Sequence, residues 1–116
     1  MFIKLNHQTL DVYAAVREMT KEIYRISMKL PPEEKFNMVP QMRRAGLSVK
    51  LNLCEGSSRR SATERKRFFE ISRGSVIEID AILETATDIN YLQTEDLKPI
   101  ELLLNKCFAM LSNMLK

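Results

Sequence analysis

Residues 41–76 read QMRRAGLSVKLNLCEGSSRRSATERKRFFEISRGSV, and their punctuation decides the fold. An apolar-periodic run ends in Gly56-Ser57-Ser58, two arginines follow, and Ser61-Ala62-Thr63-Glu64 opens another run. Ser followed three residues later by Glu fits a capping box, in which each side chain satisfies a free backbone donor of a starting helix. The stretch is therefore helix, short polar turn, helix. It also carries nine Lys/Arg against three Glu, a net of +6, whereas the rest holds nine basic and twelve acidic residues, a net of −3. A chain of formal charge +3 is thus an acidic-leaning scaffold with one basic hairpin.

Working outward, the first helix begins near Asn6 or Thr9 and runs to Lys29 or Leu30. Val12, Val16, Met19, Ile23, Ile26 and Leu30 alternate steps of four and three, the seam of a bundle helix. Pro31 and Pro32 stop it, since proline lacks a donor and disfavours helical geometry in the residue before it. Tyr13 and Tyr24 flank the seam as edge residues, and His7, ahead of the helix, is expected at the surface. Pro32-Glu33-Glu34 suits a single helical turn, with Phe36 and Met38 folding back as a cover.

The second helix starts near Val39 or Pro40. Its stripe passes through Met42, Ala45, Val49, Asn52 and Gly56, with Leu47, Leu51 and Cys54 on another face. Two apolar faces exceed what one core requires and point to contact with another subunit. In the third helix the expected seam is Phe68, Ser72, Ser75, Ile79, Ile82, Ala86 and Ile89, widened by Phe69, Val76 and Leu83. Gly74 within it costs about 1 kcal/mol relative to Ala, a cost that close helix approach at Gly74 and Ser75 would offset. The helix ends near Tyr91–Gln93. Thr94 then caps a fourth, whose core face is Ile100, Leu103, Cys107, Met110, Leu111 and Met114.

Few Gly and Pro, no Trp and little alternating β-branched sequence exclude a sheet. The 116 residues form one domain, residues 1–116, an all-α antiparallel up-down-up-down four-helix bundle. No apolar run suits a signal peptide or a membrane span, so a cytoplasmic protein without membrane association is expected. Cys54 and Cys107 suit core positions rather than a disulfide or a metal.

The third helix is charged against its own dipole. Arg65, Lys66 and Arg67 crowd its partially positive start beside Arg59 and Arg60, while Glu78, Asp80, Glu84 and Asp88 occupy its second half. Each such placement costs a few tenths of a kcal/mol, and rules broken repeatedly at one place mark function. The basic residues can form a solvated face, meet the acidic half of a neighbouring subunit, or neutralise nucleic-acid phosphates. The last reading assigns Arg43, Arg44, Arg59, Arg60, Arg65, Lys66, Arg67 and Arg73 as RNA or DNA backbone contacts. No aromatic interleaves these positions, so base stacking is not expected. There is no phosphate-cradling Gly loop, no nucleophile–base set and no diiron-type His/Glu spacing, hence no catalytic residue, metal or cofactor is assigned. Asn52 and Glu55 are read as a structural network, with Glu55 facing Arg59 or Arg60.

Gln41-Met-Arg-Arg-Ala45, Ser48, Asn52-Leu-Cys-Glu55-Gly56 and Arg59 together resemble the second-helix signature of the 23S rRNA intervening-sequence protein family. Arg67-Phe-Phe-Glu-Ile71, Gly74-Ser75 and Glu78 resemble its third-helix signature, and Leu30-Pro31 with Glu33-Glu-Lys-Phe36 its first turn. The resemblance implies a left-handed bundle and a homo-oligomer, a pentamer in characterised members. A related branch, the accessory variability proteins of diversity-generating retroelements, implies nucleic acid and a reverse transcriptase as partners. Asn52, Glu55, Gly56, Gly74 and Ser75 are then framework residues. Arg73 stands where the family often has a small or apolar residue, which adds to the positive charge.

Overall fold

The computed structural model describes residues 2–116, and among them the chain forms four α-helices and no strand. They are α1 (Asp11–Ser27), α2 (Met38–Ser58), α3 (Ala62–Asp88) and α4 (Thr94–Met114), with 3-10 turns at Asn6–Thr9 and Pro32–Glu34. At about 1.5 Å per residue α3 is about 40 Å long, nearly the 44 Å length of the molecule. The bundle is therefore one α3 tall, with every other helix packed alongside.

Packing runs α1 on α2, α2 on α3, α3 on α4, and α4 back on α1. Contacts fix the directions. Gln41 meets Glu78, Ser48 meets Ser75 and Gly56 meets Phe69, so α2 and α3 are antiparallel. Ser27 meets Arg43 at one end of the α1–α2 pair, and Lys29 at the end of α1 meets Asp96 at the start of α4. Arg73 lies over Phe108, while Leu83 and Glu84 line the same hollow as Leu97 and Ile100, so α3 and α4 are antiparallel as well. The up-down-up-down order follows from connections too short to cross the bundle.

The α1 seam is buried at every expected position, from Val12 to Leu30. α2 buries Met42, Ala45, Val49 and Gly56 as read, but Leu53 takes the place given to Asn52. The larger revision is in α3. Phe69, Ser72, Val76, Ile79, Leu83 and Ala86 face the core, whereas Phe68, Ser75 and Ile82 are half-buried on the flank and Ile89 is exposed. The row treated as a widening is central because 3.6 residues per turn makes a long helix drift against a strict heptad. In α4, Leu104 joins Ile100, Cys107 and Leu111 in the core, with Leu103, Met110 and Met114 packed at its edge.

Several ends also differ. α3 stops at Asp88 through Asn90 in the left-handed region (φ 66°), with the Tyr91 N–H donating to the Ala86 carbonyl at 2.8 Å and the Asn90 N–H to Thr87 at 3.0 Å. This Schellman arrangement satisfies carbonyls that further helix would have used. Gln93, not Thr94, stands at the N-cap of α4, its backbone N–H donating to the Asp96 carboxylate at 2.9 Å. Ser61 caps α3 by accepting from the Glu64 N–H at 3.3 Å, the first half of the expected box. His7 is buried edge-on to Tyr13, ring centroids 5.2 Å apart, rather than at the surface. Phe36 stays 89% exposed instead of covering the core, while Met38 does pack against it. At that end the Tyr91 hydroxyl donates to Glu34 at 3.0 Å, tying the two end turns together; that bond and partial desolvation raise the Tyr91 pKa.

No helix among the described residues is long and apolar enough to cross a membrane.

Candidate nucleic-acid interface

At the tip of the α2–α3 pair Gly56 permits a close approach. A Cβ there would lie 2.7 Å from Phe69 Cε1 and 3.0 Å from Phe68 Cβ, inside van der Waals contact. The Ser72 hydroxyl, fully buried, donates to the Val49 carbonyl at 2.7 Å. On the flank, Asn52 donates to the Ser48 carbonyl and hydroxyl at 2.9 and 3.1 Å, and Ser75 to the same hydroxyl at 2.8 Å. Asn52, Gly56 and Ser75 are thus framework residues of one interface. Asn52 and Glu55 do not share a network: Glu55 turns outward to Arg59 at 3.0 Å. Gly74 is no point of close approach, since a Cβ there would meet nothing within 4 Å.

This rigid hairpin presents Arg59, Arg60, Lys66 and Arg67, all exposed, on one end of the bundle. Arg65 is turned inward and donates to the carbonyls of Arg59 (3.0 Å) and Arg60, clasping the turn. Phe68, half-buried, sits among them with the Arg59 and Arg67 guanidinium carbons 5.0 and 5.8 Å from its ring centroid. Both distances lie within cation–π range. An aromatic does therefore interleave the basic positions; its place on the flank of α3, rather than in the seam, could not be read from spacing alone.

The other three predicted contacts are not gathered here. Arg43 is half-buried between α1 and α2, its Nε 2.9 Å from the Ser27 hydroxyl and its guanidinium 5.0 Å from the Tyr24 ring. Arg44 is exposed, about fifteen residues and about 22 Å back along α2 from Arg59. Arg73 is half-buried against α4, 4.6 Å from the Phe108 ring centroid, with a buried Nε that lacks a hydrogen-bond partner. Two of the eight cations are committed to packing and one stands alone.

Nothing at the tip is arranged as a nucleophile with a base. Burial pushes the Cys107 thiol up to about 11 and raises that of half-buried Cys54 against the opposing pull of Lys50, so neither is a ready thiolate. Among the described residues no group of three or more His, Cys, Asp and Glu is placed to hold a metal ion.

Fold and surface define an all-α bundle whose distinctive chemistry is a cationic hairpin. The family model described as 23S rRNA-intervening sequence protein matches residues 8–113, and the chain belongs to that family. A crystal structure of a protein of unknown function from the S23 ribosomal protein family of Bacteroides thetaiotaomicron superposes with a TM-score of 0.83 at 21% identity, covering 90% of this chain and 98% of that one. At that identity the likeness shows the fold alone. No curated protein matches the chain.

Proposed function

We propose that this chain is a non-enzymatic, self-associating cytoplasmic protein, a pentamer as its family resemblance implies, that binds nucleic-acid backbone through the α2–α3 tip. The observation that carries the reading is the set Arg59, Arg60, Lys66 and Arg67, exposed together at the start of α3 with one carboxylate partner, Glu55, among them. That pair is itself solvent-exposed, so a phosphate displaces little in taking its place. The helix dipole adds about half a positive charge at the same point. Placing cations there costs folding stability and deepens the attraction for an anion.

Arginine forks suit phosphate bidentately, and such contacts release counterions without reading sequence. Salt-titrated binding to generic RNA and DNA tests the proposal. Arg59→Ala/Arg60→Ala/Arg67→Ala should weaken binding and reduce the slope of log K against log salt by roughly two to three. Absence of binding at low salt by the wild-type chain overturns it.

A second reading is a purely structural oligomer or protein adaptor whose basic tip meets a neighbour's acidic surface. The uncommitted carboxylates Asp80 and Glu84 on the second half of α3 favour it. Under that reading the same three substitutions break the assembly and leave nucleic acid irrelevant.

A further inference from the structure

Two features of the molecule have no counterpart in its own fold. The first is a groove between α3 and α4, made of two adjoining hollows of about 210 and 330 Å³ that share Asp80, Leu104 and Asn105. Its floor is apolar, from the buried Val76, Leu83, Ile100 and Leu104. Its rims carry Asp80, Glu84 and Glu101, and none of these carboxylates makes an ion pair or accepts a side-chain hydrogen bond among the described residues. The second is the segment 2–5, Phe-Ile-Lys-Leu, which precedes the 3-10 turn that packs on α1. Phe2 is 95% and Ile3 67% exposed, and Lys4 makes no ion pair among the described residues.

We infer that the segment 2–5 of one copy docks in the α3–α4 groove of a second copy, Phe2 or Ile3 filling the hollow beside Ile77 and Phe108 and Lys4 facing the acidic rim. This rests on the self-association proposed above and names its contact. Size agrees: a cavity of about 150 Å³ holds benzene, and the smaller hollow is about 210 Å³. Charge agrees, one lysine within an apolar segment against three carboxylates around an apolar floor.

The segment does not occupy its own chain's groove, since Phe2 is 95% and Ile3 67% exposed. The contact is heterologous, one surface against a different one, the kind of contact that builds a ring when its rotation closes. It also gives the acidic second half of α3 a use: those charges line the seat of a neighbour's basic, apolar arm.

Sedimentation velocity over a concentration series tests this on the full chain. Two variants are compared, Phe2→Ser/Ile3→Ser in the arm and Ile77→Asp at the groove, where Ile77 is 54% exposed and replaceable without opening the core. Each alone should raise the concentration for half-assembly at least about tenfold. Mixed, they should form a heterodimer, because one supplies an intact groove and the other an intact arm; a misfolded variant could not. Assembly of either variant at wild-type concentrations, or a mixture without a heterodimer, overturns the arm-in-groove contact and leaves self-association standing. A wild-type chain that stays monomeric overturns both.

Discussion

Gly56 and Gly74 are the same residue in opposite situations. Gly56 faces Phe69 at a distance no Cβ can share, so Gly56→Ala forces the α2–α3 tip apart and should destabilise by about 1–3 kcal/mol. Gly74 faces open space in mid-helix, so Gly74→Ala should stabilise by about 1 kcal/mol. Urea unfolding of the two variants checks both signs. The arginines divide in the same way. Arg43 and Arg73 lie on aromatic rings between helices, so their replacement by Ala should lower stability and leave the salt slope of any nucleic-acid binding unchanged. Arg59 and Arg67 should do the reverse in a filter-binding assay. Phe108 across the α3–α4 interface accommodates the Arg73 guanidinium.

The informative element is α3, which carries the cap, the cationic start, the α2-facing polar ladder and the acidic half. Its charges oppose its dipole, and its stability must come from packing along Phe69, Val76, Ile79 and Leu83. α4 is charged the ordinary way. Glu95 and Asp96 occupy its first turn, and Asp96 also accepts from Lys29 at 2.8 Å. The bond from Lys29, then that from the Gln93 N–H, hold the Asp96 carboxyl below its ordinary pKa. A depressed folded-state pKa contributes stability above the unfolded value, near 3.9, and that stability is lost as pH falls through the folded one. Lys29→Met should therefore be less stable than wild type near pH 7, the difference shrinking below about pH 4. Thermal unfolding across that range checks it.

At the scale of the whole molecule the two ends differ in chemistry. The α2–α3 end is cationic, while the opposite end is closed by turns without net charge, with Tyr91 on Glu34 linking them. The exposed apolar residues Leu51 and Ile71, on α2 and α3, remain outside the core and are available to a subunit contact. What the sequence by itself determined is everything carried by local order. Prolines 31 and 32, the Ser61 cap and the four-three spacing in α1 set four helices and their sequence, because these signals act within a turn or two of backbone. The family motif was legible for the same reason: Asn52, Gly56 and Ser75 are small or polar where a bundle helix ordinarily carries apolar residues. Only the tertiary structure decided which of two adjacent rows of α3 faces the core, that Gly74 looks outward, that His7 is buried, and that the eight basic residues are not one patch. Those choices depend on the azimuth of each helix against its neighbours. Azimuth is fixed by long-range packing, here the Gly56–Phe69 contact and the Ser72–Val49 bond, and periodicity leaves it free to drift by a residue.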